Sequence, residues 1–169
     1  MVTTATAGER HGVKLWRSLN PLLTRFSEHR AAVIDVTYHP TENIIATASD
    51  DRTIKLINRQ GKLLTTWKGK QTGVLGLDYH PNGSSLVSGH NDGTVRLWEI
   101  STTEPTKIVK VTTLTDHDAL VWRIAYSPNG SVFATASEDN TVKIWDRQGK
   151  LLRVMRMEFA MLLLVPTVS

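Results

Sequence analysis

The sequence predicts an all-β protein built from repeated four-stranded antiparallel units, and three observations lead to that prediction. A seven-residue block with Asp first, Thr third and a basic residue fifth occurs at residues 51–57, 92–98 and 139–145. Between these blocks, apolar and polar residues alternate with the period of two that is typical of strands. No apolar stripe with helical spacing of any length is present.

The repeat has a nearly constant length. The three blocks are separated by offsets of 41 and then 47 residues, and the same offsets separate His39-Pro40, His80-Pro81 and Ser127-Pro128. The six extra residues lie within residues 100–113, which indicates one lengthened connection rather than a broken repeat. A fixed offset of this kind shows that the chain is an array of similar structural units.

Each unit is predicted to contain four strands in the same order. The first strand, with Ile34, Val36 and Tyr38 in the first unit, ends at a turn in which proline presets φ. A second strand, an acidic tight turn, a third strand and a fourth strand follow. The second strands are predicted at residues 44–49, 85–89 and 132–137, and the fourth strands at residues 62–67, 107–114 and 150–155.

These units divide the chain into six segments. They are a flexible N-terminus at 1–9, the third and fourth strands of an incomplete unit at 10–26, complete units at 27–67, 68–114 and 115–155, and an apolar tail at 156–169. The incomplete unit is assigned because residues 12–16 fit the third-strand template at an offset of 41. The apolar run at residues 161–165 is a candidate for one more strand, and it is too short to span a bilayer.

The composition excludes several classes of protein. With no cysteine, the chain has no disulfide, thiolate metal site or cysteine nucleophile, and this fits a reducing compartment. Residues 1–9 are polar and do not form a secretory signal, so a cytoplasmic location is expected. The net charge of +4 comes from scattered basic residues, which favours a solvated surface over the alternative of a nucleic-acid groove.

One basic position recurs in the third strand of each unit, at Lys14, Lys55, Arg96 and Lys143. A ladder of this kind is suited either to phosphate contacts or to long side-chain stems that pack along a sheet. The second interpretation is favoured because such stems commonly lie on apolar surface with their charges at its edge.

A unit of about 40–45 residues that contains four strands and closes on Trp-Asp, as at Trp145-Asp146, is typical of a propeller blade. At residues 12–155 the chain resembles the WD40-repeat β-propeller family. The resemblance implies a partial propeller of about three and a half four-stranded antiparallel blades. It also implies a hydrogen-bonded network in each blade, made of a His, a Ser or Thr that ends the second strand, the turn Asp and the Trp indole.

The resemblance assigns nine residues to this network: His29, Ser49 and Asp51 in the first unit, Asp92 and Trp98 in the second, and His117, Ser137, Asp139 and Trp145 in the third. Only the third unit fills all four positions. The first unit has Ile57 in the Trp position. The second has Lys70 in the His position and His90 in the Ser position.

A Ser, a His and an Asp within one unit raise the alternative of a hydrolase. Their recurrence between strands favours a structural role, since an unpaired buried polar group costs about 1–3 kcal/mol. The six histidines lack the close spacing of a zinc site, and no glycine-rich phosphate loop is present. A non-enzyme without a metal or cofactor is therefore expected.

The remaining function is recognition of a protein partner. In this family the binding face commonly carries the turns between second and third strands and the beginnings of the first strands. The resemblance places seven residues there: Arg30, Asp50, Gln71, Asn91, Trp122, Arg123 and Glu138. Trp and Arg are frequent hot-spot residues. The alternative for Trp122 is that it continues the core alternation of Ile34 and Leu75.

Three complete units are fewer than the 4–8 blades of a typical propeller. The hypotheses are a piece of a longer repeat protein, a truncated gene product, or a ring of about six to eight blades that a second chain completes. Closure of four blades by this chain alone would require the tail to supply both the first and second strands of the incomplete unit. The repeat places only one strand there, at residues 162–167.

Overall fold

Four antiparallel sheets follow one another along the chain in the computed structural model, which describes residues 3–8, 12–17, 20–68 and 72–156. The partial blade contains β1 (Thr3–Gly8), β2 (Gly12–Arg17) and β3 (Asn20–Phe26). Blade 1 contains β4 (Val33–Tyr38), β5 (Ile44–Ser49), β6 (Thr53–Asn58) and β7 (Leu63–Lys68), and blade 2 contains β8 (Val74–Tyr79), β9 (Ser85–His90), β10 (Val95–Ile100) and β11 (Ile108–Leu114). Blade 3 contains β12 (Val121–Tyr126), β13 (Val132–Ser137), β14 (Thr141–Asp146) and β15 (Leu151–Arg156). These sheets confirm the prediction of an all-β, partial propeller.

Each sheet is a meander in which every strand pairs with its neighbour in sequence. The first strands of successive blades pack together, β4 on β8 and β8 on β12. Gly76 allows the second of these approaches, because a Cβ atom there would lie 3.0 Å from the carbonyl oxygen of Trp122. The described residues include no helix that could cross a membrane.

The core lies between the sheets rather than within any one of them. Blades 1 and 2 enclose one apolar cluster, in which the rings of Trp67 and Trp98 stack with centroids 5.7 Å apart. Blades 2 and 3 enclose a second cluster, in which Phe133 stacks on Trp145. A third cluster joins Phe26 of the partial blade to blade 1. Each blade is therefore stabilised mainly by its neighbours, as in other repeat proteins.

The N-terminus differs from the flexible segment predicted at residues 1–9. Residues 3–8 form β1, which pairs with β2 so that Ala5 lies opposite Leu15. The reason is visible in the repeat, because Ala-Thr-Ala at residues 5–7 recurs at 46–48 in β5 and at 134–136 in β13. Residues 3–8 are thus the second strand of the partial blade, which has three strands rather than two.

Two histidine–glycine contacts join consecutive blades. The ring of His39 in blade 1 lies against Gly83 of blade 2, and that of His80 in blade 2 lies against Gly130 of blade 3. The His80 Nε2 atom is also 3.1 Å from the Gly130 carbonyl oxygen. Both glycines have positive φ, 77° and 70°, a conformation that disfavours residues with a Cβ.

Substitution of Gly130 by Ala is expected to lower the free energy of unfolding by about 1–3 kcal/mol. The new Cβ would require a left-handed backbone conformation and would collide with the His80 ring. Urea unfolding of the variant measures the loss. Gly61→Ala, at φ 77° in the turn before β7, is the control for backbone conformation. Equal losses in both variants would show that the histidine ring contributes nothing.

Candidate functional site

Blade 3 contains a continuous chain of hydrogen bonds beneath its surface. The indole N–H of Trp145 donates to the Thr135 hydroxyl at 2.9 Å, and that oxygen lies 2.7 Å from His117 Nε2. The other ring nitrogen, Nδ1, lies 2.6 Å from the Asp139 carboxylate. An indole can only donate and an ionised carboxylate can only accept, so the Trp145 N–H donates to Thr135 and the His117 Nδ1–H donates to Asp139. The chain fixes the turn between β13 and β14.

Blade 1 repeats most of this network without the tryptophan. His29 Nδ1 lies 2.8 Å from the Asp51 carboxylate, and its Nε2 lies 2.7 Å from the Thr47 hydroxyl. Burial opposes ionisation of Asp51, but hydrogen bonds from Thr53, from the Arg30 N–H and from His29 outweigh it and lower the pKa of Asp51 to about 2. Burial also lowers the pKa of His29, against the attraction of Asp51. A neutral His29 therefore bonds an ionised Asp51.

Blade 2 links its indole to a different histidine, and no hydrogen bond between described residues joins that histidine to the turn residue Asp92. His90, at the end of β9, places Nε2 2.8 Å from the Ser88 hydroxyl, which accepts the indole N–H of Trp98 at 2.8 Å. His90 is fully buried, and its Nδ1 has no hydrogen-bond partner among the described residues. The second unit is thus a variant of the network. Lys70, which the sequence places in the His position, lies outside the described residues.

The structure places the predicted serines differently from the position that the resemblance implied. The hydroxyl that joins histidine and indole belongs to Thr135, two residues before Ser137. Ser137 instead donates to the Ala119 carbonyl at 2.9 Å and accepts the Asp139 N–H at 3.1 Å. Ser49 makes the equivalent contacts in blade 1. The recurring Ala-Thr-Ala pattern at 46–48 and 134–136 was the available sequence signal for the threonines.

This geometry does not support the hydrolase alternative for Ser137. A serine nucleophile requires a histidine base within hydrogen-bond reach. Thr135 and Asp139 occupy the two ring nitrogens of His117. The Ser137 hydroxyl is committed to backbone groups, so the set acts as a structural network.

The recurring basic position is partly a core feature. Arg96 and Lys143 are buried, and Lys143 Nζ donates to the Asp116 carbonyl. Lys55 is half-buried and donates to the Thr66 hydroxyl at 3.2 Å. These contacts agree with stems that pack along the sheet and do not favour a phosphate-binding ladder. Among the residues with described positions, no group of three or more His, Cys, Asp or Glu could hold a metal ion.

Six of the seven residues predicted for the partner face are described, and all six are exposed: Arg30, Asp50, Asn91, Trp122, Arg123 and Glu138. We call this set the turn face. Gln71 lies outside the described residues. In each of blades 1, 2 and 3 one backbone hydrogen bond ties the turn to the beginning of the first strand: the N–H groups of Asp50, Asn91 and Glu138 donate to the carbonyls of Ala32, Gly73 and Leu120.

Residues of two blades converge on the turn face at Gly73. A Cβ atom there would lie 2.7 Å from the Asn91 amide nitrogen and 2.8 Å from an Asp50 carboxylate oxygen. A groove of about 430 Å³ surrounds this point and includes Arg52 and Asp92. The junction between blades 1 and 2 is therefore concave and polar.

Trp122 is the largest exposed apolar side chain on the turn face, with 54% of its surface accessible. Its strand pairs with β13 through a register shift between Val121 and Arg123, which takes Trp122 out of the regular alternation. The same shift occurs at Leu75, yet Leu75 is buried. The structure thus rejects a core position for Trp122. Arg123 lies close enough to Asp35 to oppose the rise in the pKa of Asp35 that burial causes.

The family model for the WD domain, G-beta repeat (WD40), matches residues 20–58, 61–99 and 108–146, together more than half of the chain. Each match begins near a fourth strand and ends with the third strand of the next blade, so the sequence repeat is one strand out of phase with the sheet. The match confirms the predicted resemblance. No curated protein matches the chain.

Proposed function

The chain belongs to the WD40-repeat family, and on that premise we propose that it is a non-catalytic scaffold that binds a segment of another protein on its turn face. The observation that carries this proposal is the exposure of Trp122 on β12, a strand that is paired with β13. A tryptophan supplies a large, amphipathic contact area and is enriched among binding hot spots.

The surroundings of Trp122 favour a partner segment with a basic side chain. Asp118 and Glu138 are exposed at the same end of blade 3, where the Asp118 N–H donates to Asp139 and the Glu138 N–H donates to Leu120. A Lys or Arg side chain can stack on an indole face. The two carboxylates would add charge attraction, which salt screens.

Substitution of Trp122 by Ala is expected to abolish capture of the partner, because it removes the central apolar contact. The measurement is cross-linked capture from a cell extract, with the captured proteins identified by mass spectrometry and compared between variants. Val109→Ala is the control, since Val109 is 67% exposed on the outer strand β11. Proteins retained by the Val109 variant but lost by the Trp122 variant support the proposal. The same proteins retained by both would refute it.

A further inference from the structure

We propose that a groove at the junction of blades 2 and 3 binds an acidic segment of a partner protein, at the opposite end of the sheets from the turn face. The groove has a volume of about 620 Å³, and its polar lining includes His80, Asn82, Asn129, Arg147 and Gln148. We call it the asparagine groove. In a meander the turns after the first and third strands lie at one end of the sheet, and the turn after the second strand lies at the other. The asparagine groove is therefore a second surface, separate from the turn face.

Two asparagines direct amide donors into this groove. Asn82 and Asn129 hold the same position of the repeat in blades 2 and 3, and both are exposed. The Oδ1 atom of Asn82 accepts the Ser84 N–H at 2.9 Å, and that of Asn129 accepts the Ser131 N–H at 3.0 Å. Because a backbone N–H pairs with the oxygen of a side-chain amide, both orientations are fixed. In the described part of the chain no hydrogen bond uses either amide nitrogen, so both NH₂ groups can donate to a ligand.

The ring of His80 fixes the spacing of the two asparagine turns. Its Nε2 atom lies 3.1 Å from the Gly130 carbonyl oxygen, and a carbonyl can only accept, so Nε2 carries the hydrogen. Its Nδ1 atom then accepts the Asn82 N–H at 3.2 Å. The ring thus joins the Asn82 turn of blade 2 to the turn of blade 3 that contains Asn129. Donors held in this way require less ordering when a ligand binds.

Arg147 supplies the positive charge of the groove. It is exposed, with Gln148, in the turn between β14 and β15. Arg147 forms no ion pair with any residue at a described position. None of the described residues that line the groove is acidic. A guanidinium can bind a carboxylate through two parallel hydrogen bonds, so the groove combines a cation with neutral amide donors.

The charge of these donors favours a carboxylate over a phosphate. One cation with neutral donors matches the single charge of an Asp or Glu side chain, whereas a phosphorylated residue carries nearly two charges and is usually bound by several arginines. A second groove of about 400 Å³ shares Arg147 and Asn82, so the recess continues beyond the donors and has room for an extended segment. There Lys110 lies 3.3 Å from the Glu99 carboxylate, and this pair adds no net charge. The net charge of +4 also attracts an acidic partner.

The junction of blades 1 and 2 lacks this combination. The positions there that correspond to Asn82 and Arg147 hold Thr41 and Ile100, which supply neither an amide nor a charge. Blade 1 does contain a second copy of the arginine turn, because the sequence Arg-Gln-Gly-Lys occurs at 59–62 as well as at 147–150. Arg59 is exposed like Arg147 but does not line the asparagine groove. It is therefore a matched control for charge.

Nuclear magnetic resonance titration of the ¹⁵N-labelled full chain with a short peptide of alternating Ser and Glu tests this proposal. The side-chain NH₂ signals of Asn82 and Asn129 are expected to shift and saturate, and a peptide with Gln in place of Glu should not shift them. Arg147→Gln is expected to raise the Kd about tenfold, because it removes a hydrogen bond between charged groups. Arg59→Gln removes the same charge from blade 1 and should leave the Kd unchanged.

A second variant reverses the charge of the groove and keeps its turn. Asn82→Asp retains an oxygen that accepts the Ser84 N–H, but it places a carboxylate beside the ligand, so the shift of the Asn129 signal should be lost. Asn58→Asp is the control, because Asn58 Oδ1 accepts the Gln60 N–H in the equivalent way in the turn between β6 and β7. This control should retain the shift.

Three results would overturn the proposal. Equal affinities of the Arg147 and Arg59 variants would show attraction by the net charge rather than binding in the groove. Equal shifts with the Glu and Gln peptides would show that no carboxylate is recognised. Saturation by inorganic phosphate at a lower concentration than by the peptide, at the same ionic strength, would show a phosphate site. The capture of proteins through Trp122 is a separate readout, so failure of either proposal leaves the other interpretable.

Discussion

Substitution of Trp145 by Ala is expected to lower the free energy of unfolding by about 3–5 kcal/mol, the usual range for a large aromatic residue removed from a core. Trp145 is 1% exposed and stacks on Phe133 at a centroid distance of 6.1 Å. Its loss also removes the N–H donor to Thr135, at the beginning of the hydrogen-bond chain of blade 3. A decrease of this size is a large share of the stability of a typical domain.

Chemical denaturation followed by far-UV circular dichroism measures this effect. Trp122→Ala is the matched control, because the same residue type is removed from a position that is 54% exposed. The control is expected to change the free energy of unfolding by less than about 0.5 kcal/mol. Similar losses in the two variants would mean that the interface between blades 2 and 3 is not the principal core of this part of the chain.

The stability of the protein is expected to fall by about 1.4 kcal/mol for each pH unit below about 6.5 through His90 alone. Burial and the nearby Arg96 lower the pKa of His90 to about 3, against the attraction of Asp92. Between these two values the unfolded chain binds a proton at His90 that the folded chain does not. The contribution of His90 to the free energy of unfolding is therefore complete above pH 6.5 and is lost as the pH falls towards 3.

Denaturant titrations of the wild type and of His90→Gln at pH 7.5, 6 and 5 test this expectation. Glutamine retains a polar group for Ser88 and does not titrate, so the variant should lose less stability on acidification. Burial lowers the pKa of His29 as well, which leaves a slope of the same sign in both proteins. Burial raises the pKa of Asp35 and Asp78 above the ordinary value of 3.8. Just above pH 3.8 the folded chain therefore binds protons at these carboxyl groups that the unfolded chain does not, and acidification there increases the free energy of unfolding. Equal slopes in the two proteins would show that His90 is accessible to protons in the folded state.

The strands of the complete units were predictable from the sequence because the same residue pattern recurs in each unit. The second strands at residues 44–49 and 132–137 agree with β5 and β13. The strand at residues 3–8 was missed although its Ala-Thr-Ala pattern matches two others. The residues on either side of this strand show no alternation of apolar and polar residues, and the pairing of residues 3–8 with β2 decides that they form a strand.

The residues of the candidate site were predictable where the exposure of a side chain depends only on its position in the repeat. The exposure of Asp50, Asn91 and Glu138 follows from their position before the turn aspartates. The hydrogen-bond partners were less predictable, because a shift of two residues exchanges Ser137 for Thr135 on the same face of a strand. In blade 2, His90 takes the place of the histidine expected in the connection between blades. This replacement depends on which side chains come within hydrogen-bond distance in three dimensions.

The sequence by itself determined the repeat, the all-β class and the family, because these depend on periodicity and turn chemistry along the chain. Only the tertiary structure decided which residues meet across sheets. It places Trp145 in the core and Trp122 on the surface, although each is a tryptophan in a strand of blade 3. The physical reason is that Trp145 lies in the apolar cluster between blades 2 and 3 whereas Trp122 lies outside it at the bulge in β12, and both environments arise from contacts between residues far apart in sequence.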